Sequence, residues 1–273
     1  MRKFAIAVRH RRVRLLILLL VVAAVAGFGY YARATAVMPQ ATIHFLSDVR
    51  LPEAGEKVLV FSPHPDDETI GVGGYLCESV HRRAIVRIVL ITDGNKHNLE
   101  ARRYMEFRKA TKALGVPAKS LVFLEYPDGK LRKQRQAELC RVFRGEVESF
   151  DPDIVIYPHP DDGHPDHRTT GRIVQAVLDS GVRKRTAYQY LVHHPRFPQP
   201  KKLRPKLYIL PPISTVTFDR EWRRLLLTTS DEARKKEAIR CYRTQLRVPM
   251  LRSLLLSSIR RNELFSVAKA SDP

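Results

Sequence analysis

Two short clusters of histidine and carboxylate side chains could do chemistry in this chain: His64-Pro65-Asp66-Asp67-Glu68 and His164-Pro165-Asp166-His167. These residue types suit one hydrolytic zinc ion (Zn2+), which in catalytic sites takes three N/O ligands and leaves one position for water. His64 and Asp67 stand at i and i+3, so both can turn toward one point where a strand end bends into a helix, and Pro65 stiffens that bend. His167 would complete a set of two histidines and one carboxylate. Bound zinc lowers the pKa of its water from about 15.7 to about 7. Asp66 is beside a ligand but spare, so it is expected to accept the water proton, a role worth ~10²–10⁴-fold. His164, one helical turn before His167, could stabilise an oxyanion and then protonate a leaving nitrogen, worth ~10²–10³-fold. Asp166 is expected to orient His164 or His167, as carboxylates behind metal ligands do. Iron(II) could occupy the same ligands.

These clusters need elements that bring them together across 100 residues. Short apolar runs at 58–63, 84–92, 121–124, 153–158 and 186–192 read as strands buried on both faces. Between them, 69–80, 98–114, 131–150 and 167–180 have helical spacing, and Gly115 and Pro117 close the second of these. Strands alternating with helices predict right-handed βαβ units and a layered α/β domain. If the strand order is 3-2-1-4-5, strands one and four flank the point where the order reverses. Ligands collect there, outside the carboxyl ends of the strands. A lone His-Pro-Asp-Asp-Glu could be only a capped loop, since Asp is a common N-cap; its partner on the matching strand end is what points to a site. From about residue 195 the chain is rich in Pro and Lys, then gains a charged helix at 231–245, an extension of the same domain.

The chain resembles the PIG-L/LmbE-like zinc-dependent N-acetylglucosaminyl deacetylases. The resemblance runs from about residue 57 to 265 and rests on PHPDDETIGVGG (63–74), TDG (92–94), Arg103, Glu106, Ala110, Leu114 and Gly115 in their spacing, PDG (127–129) and GHPDH (163–167). It implies a Rossmann-like, mostly parallel sheet with helices on both faces and removal of acetate from a GlcNAc unit, often linked to a larger aglycone. It implies His64, Asp67 and His167 as zinc ligands, Asp66 as general base, His164 as electrophile or acid and Asp166 as that histidine's partner. Arg103, Asp128 and Glu68 fall at substrate-binding positions. Some relatives place a mobile Tyr two residues before the first His of the second motif; here that position is Asp162.

The remaining histidines are read as supporting residues. His159-Pro160-Asp161-Asp162 repeats the first motif without its Glu or glycine-rich helix start, so it is expected at the rim. His193-His194 is read as structural or rim, and His81 and His97 as solvated. Three scattered cysteines, Cys77, Cys140 and Cys241, spell neither a disulfide framework nor a thiolate zinc site.

The N-terminus has a different composition. Residues 15–32 form an uncharged run of 18 after RHRRVR, about 27 Å long as a helix at ~1.5 Å per residue, close to a bilayer core. An uncleaved membrane anchor is favoured over a signal peptide cut near Ala34-Thr35-Ala36. Either way the basic end is expected in the cytoplasm and the rest across the membrane. The predicted layout is an anchor (1–36), a polar connector (37–56) and a deacetylase domain (57–273). Of the formal charge of +20 over 273 residues, seven basic residues and no acid lie in 1–36. The other 237 residues carry 41 basic against 28 acidic side chains, a net +13, dispersed and without a nucleic-acid-binding module. Anionic headgroups are therefore the expected partners and nucleic acid is not, and the resemblance adds an N-acetylated sugar. Oligomeric state is not specified. Leu251, Leu254, Leu255 and Ile259 form an apolar stripe, read as core with an interfacial membrane helix as the alternative. Two other readings share these residues: a zinc amidohydrolase acting on a different N-acyl compound, and a non-catalytic, membrane-tethered glycan-binding protein.

Overall fold

The computed structural model describes residues 2–36, 38–95, 98–195 and 197–268. Helix α1 (Arg2–Thr35) leads through a 3-10 turn (Gln40–Phe45) to strand β1 (Ser47–Asp48). Strands and helices then alternate: β2 (Lys57–Ser62), α2 (Asp67–His81), β3 (Ile85–Thr92), α3 (Glu100–Ala113), β4 (Leu121–Tyr126), α4 (Gln136–Phe150), β5 (Ile154–Pro158), α5 (Pro165–Asp179) and β6 (Thr186–Tyr190). The last third adds β7 (Arg220–Leu226), α6 (Thr229–Cys241), α7 (Arg243–Leu246), α8 (Pro249–Ser257) and β8 (Asn262–Ala268).

All eight strands form one sheet in the order β1-β7-β8-β6-β5-β2-β3-β4. The parallel portion β4-β3-β2-β5-β6 has the order expected from sequence, 3-2-1-4-5 when its members are counted along the chain. Alternate residues of each central strand feed opposite cores. Val58, Val60, Ile88, Leu90, Ile154 and Ile156 pack against α2, α3 and α6. Leu59, Phe61, Val89, Ile91, Val155 and Tyr157 pack against α4 and α5. Burial on both faces is why these strands read as continuous apolar runs.

Several expectations change. The region after 195 contributes two antiparallel strands, β7 and β8, which the sequence reading lacked. In β7, REWRRLL, only Trp222 and Leu225 are buried, three positions apart, so no alternation shows. Strand β8 buries polar Asn262, Glu263 and Ser266. Each finds partners: Asn262 brackets Ile209, and Ser266 donates to Gln189. Glu263 accepts the Gly74 and Tyr75 amides and pairs with buried Lys235 at 2.6 Å. The predicted connector packs onto the sheet: β1 pairs with β7, and Ile43 and Val49 are buried. The predicted helix at 131–150 is a 3-10 turn (Leu131–Lys133) followed by α4. Helix α5 starts earlier than expected because Pro165 takes its first turn and His164 caps it.

Within α1, His10–Arg33 is long and apolar enough to cross a membrane, with mean hydropathy 2.4 and none of it buried against the domain. The three cysteines are free, and Cys77 lies in the core as expected.

Candidate active site

The carboxyl ends of β2 and β5 open on one side of the sheet, and each is followed by a loop and a helix N-terminus. The first loop is held in a costly shape. Asp66 has φ 141°, a region that favours glycine, with a typical cost of about 1–3 kcal/mol. Its neighbours enforce it: the Asp66 carbonyl accepts the Thr69 and Ile70 amides, and Arg103 Nη2 donates to the Pro65 carbonyl at 2.9 Å. Glu68 sits behind the loop, wholly buried, accepting the Asp66 amide at 3.2 Å, the Thr69 hydroxyl at 2.5 Å and the Tyr242 hydroxyl. Expected at a substrate-binding position, Glu68 is wholly buried, spends its carboxylate on these loop and core donors and does not line the cavity.

The two loops bring three donor atoms to one point. His64 Nδ1 lies 3.1 Å from Asp67 Oδ2 and 3.3 Å from His167 Nε2, and Asp67 Oδ2 lies 2.9 Å from His167 Nε2. The outer ring nitrogens face carboxylates. His64 Nε2 is 3.2 Å from Asp166 Oδ2 and 3.3 Å from Asp128 Oδ1, while His167 Nδ1 is 3.4 Å from Asp162 Oδ2. With the N–H on the outer nitrogens, facing those carboxylates, His64 Nδ1 and His167 Nε2 would turn their lone pairs, together with an Asp67 carboxylate oxygen, to one point. Burial disfavours a charged His167 ring, yet Asp67 and Asp162 overcome it and hold the ring up at about 9; His64 is raised too. Protonating both rings would set two N–H groups face to face at 3.3 Å. A divalent cation at the common point satisfies all three donors, so this donor set fits a metal.

Asp166 acts differently from the expectation. Its carboxylate does not reach the rings of His164 or His167 but faces His64 and accepts the Gly129 and Leu131 amides at 2.7 and 3.1 Å. This fixes the PDG turn against the first loop. What touches His164 is the Asp166 backbone: its N–H donates to His164 Nδ1 at 3.2 Å. In the neutral ring the proton is therefore on Nε2, and burial keeps the ring neutral by lowering its pKa to about 4.

The carboxylate behind His167 is Asp162, which the sequence reading placed in a repeated motif at the rim and noted as a departure from Tyr. It accepts the amides of His164, Val192 and His193, each at 2.9 Å. Gly163 lets this loop close on the end of β6: its N–H donates to the His193 carbonyl, and a Cβ there would lie 2.8 Å from that oxygen. The available signal was the carboxylate two residues before His164.

Arg103, buried in α3, donates to the Gly94 and Pro65 carbonyls and lies 3.4 Å from Asp128 and 3.5 Å from Asp66. Burial pushes the Asp66 carboxyl up to about 8, with Arg103 pulling it back. The PDG turn is held by Asp93, which accepts the Asp128 amide at 3.0 Å, leaving the Asp128 carboxylate to face the cavity. That cavity, of about 730 Å³, is lined by His64, Asp66, Asp67, Arg103, Asp128 and His164 on one side and by Leu251, Leu254 and Leu255 of α8 on another. His193 and His194 line it too, and the His193 ring packs edge-on to His167 with centroids 4.7 Å apart. His159 is not at the rim: it is buried, parallel to Trp222 at 5.8 Å. His81 is exposed, and His97 lies outside the described residues.

Fold and centre together define a layered α/β protein with a histidine–carboxylate metal-type site at its strand ends. Residues 59–178 match the PIG-L family, described as GlcNAc-PI de-N-acetylase. The chain is 34% identical over 142 residues to a diacetylchitobiose deacetylase of Thermococcus kodakarensis, covering 46% of this chain and 51% of that protein. It is also 34% identical over 134 residues to a probable N-acetyl-alpha-D-glucosaminyl L-malate deacetylase 2 of Bacillus anthracis, covering 44% and 58%. The chain thus spans about half the length of these curated relatives. The fold is similar to that of N,N'-diacetylchitobiose deacetylase from Pyrococcus horikoshii, with TM-score 0.52, 24% identity, and coverage of 78% of this chain and 84% of that one.

Proposed function

We propose that this protein is a zinc-dependent hydrolase that removes the N-acetyl group from a GlcNAc unit of a glycolipid or glycoconjugate. The observation that carries this reading is the convergence of His64 Nδ1, Asp67 Oδ2 and His167 Nε2 within 2.9–3.3 Å of one another. A metal held by His64, Asp67 and His167 would supply Lewis-acid polarisation of the amide carbonyl and would acidify a water. Asp66, which lines the cavity beside them, is placed to accept the proton of the attacking water. His164 presents Nε2–H to the carbonyl oxygen as charge develops, and can then pass that proton to the departing nitrogen. Arg103 and Asp128, paired at 3.4 Å in one wall of the cavity, hold sugar hydroxyls. Asp166 and Asp162 keep the His64 and His167 rings in the metal-binding tautomers. The names of the curated relatives, all acting on N-acetylated sugars, support the substrate class.

In this reading α1 is an uncleaved anchor, its basic end in the cytoplasm and the domain on the other side, with 38–56 packed onto the domain rather than linking loosely to it. The test is acetate release from a panel of N-acetyl sugars by the purified full chain. Loss of one acetyl group from GlcNAc conjugates, abolished by a chelator and restored by zinc, is the expected result. Release from other N-acyl compounds but not from GlcNAc would transfer the protein to a different amidohydrolase class, and no release from any would leave the glycan-binding reading.

A further inference from the structure

The end of α1 and the mouth of the cavity meet at one rim. Just past α1, the Ala36 carbonyl accepts the Ile213 amide at 2.7 Å, at a 3-10 turn (Ile213–Thr215). Ser214 in that turn hydrogen-bonds His194 Nε2 at 3.1 Å, and His194 lines the cavity. A helix of bilayer length therefore ends two contacts from the cavity wall.

Across the mouth stands α8. Its Met250, Leu251 and Leu254 line the cavity, Met250 at the mouth with 79% of its surface exposed, and Val248, just before the helix, is 43% exposed. The segment around Leu203, also 43% exposed, is stitched to the far end of α8: the Lys202 amide donates to Ser257 Oγ at 2.8 Å, and Arg260 donates to the Pro200 and Lys202 carbonyls. Between these apolar tips stand exposed Lys202, Arg204, Arg247 and Arg252. Among the described residues, none of these four cations has a carboxylate within ion-pair distance. Apolar tips interspersed with unpaired cations are the composition of a surface that seats in the headgroup region of an anionic bilayer.

We infer that this rim, from α8 and the 202–204 segment to the turn that receives α1, docks on an anionic bilayer surface and holds the cavity mouth against the lipid headgroups. A single-helix tether alone would leave the domain free to rotate. The rim fixes its orientation, each cation near the surface contributing about 1 kcal/mol. The inference rests on α1 spanning the bilayer and is independent of the reaction.

The test uses the full chain in nanodiscs, with co-purification confirming that α1 has inserted. Met250→Trp places a reporter on the rim, and Val182→Trp, at a fully exposed site in the loop that leads from α5 into the start of β6, at the opposite end of the strands from the cavity, serves as the comparator. The native Trp222 is buried in both. With brominated acyl chains in anionic discs, the Met250→Trp emission should fall and shift to the blue while the Val182→Trp emission stays unchanged. Adding Arg247→Ala and Arg252→Ala should weaken docking by roughly fivefold for each cation removed and restore the emission. Unquenched Met250→Trp in discs that hold the protein, or equal quenching at both positions, overturns the inference.

Discussion

Asp162 Oδ2 faces His167 Nδ1 at 3.4 Å while the same side chain ties down three amides from two different loops. One carboxylate thus joins the end of β6 to the loop carrying His164 and His167, and sets which His167 nitrogen faces the proposed metal.

Replacing Asp162 with Asn keeps its size but removes the charge behind the ring. Zinc affinity should fall ~10–100-fold, the usual effect of losing a carboxylate behind a metal-binding histidine. Competition with a chromogenic chelator reads this directly, without turnover. Unchanged affinity would leave Asp162 as a loop brace only.

His64→Ala and Asp67→Ala should each lose bound zinc, whereas Asp66→Ala should keep it and lose ~10²–10⁴-fold in acetate release. Metal content of the purified variants separates the roles. Zinc should also raise the thermal midpoint of the parent chain by mass action and leave that of His64→Ala in place. Depletion in Asp66→Ala with retention in His64→Ala would reverse the assignment.

Gly171 in α5 runs against the end of β5. An added Cβ would strike the Pro158 carbonyl and lie 3.0 Å from Pro160 backbone atoms, none of which can rotate away. Gly171→Ala should cost about 1–3 kcal/mol, as overpacking does. Denaturant midpoints measure it, and a variant as stable as its parent would show that α5 is free to shift.

Lys235 and Glu263 form an ion pair with both side chains buried, and Lys235 also donates to the Ile70 carbonyl at 3.0 Å. Lys235→Met leaves the Glu263 charge buried without its partner and should cost about 3–5 kcal/mol. Replacing both residues with apolar ones should cost less than the single change if the stranded charge is the cause, though the Gly74 and Tyr75 amides then lose their acceptor. A double variant worse than the sum of the two single ones would reject this account.

The parallel half of the fold was legible because burial on both faces writes uninterrupted apolar runs such as 58–61 and 154–157, and the two motifs mark where those runs end. Strands β7 and β8 were not. The buried positions of β7 are interrupted by Arg223 and Arg224, and β8 buries Glu263 for the sake of Lys235, a residue that only the folded chain brings near. The same reason hid the roles of three carboxylates. Glu68 finds Tyr242 from 174 positions away, Asp162 finds the end of β6, and Asp166 turns to the PDG loop, so each depends on a contact that local spacing does not encode.

The backbone at Asp66 has a consequence for how this protein could be altered. With φ at 141°, glycine is the residue that position would accept most readily. Screens for heat tolerance or expression, blind to turnover, should therefore enrich glycine at 66 early, and a sturdier chain recovered that way would be an inert one.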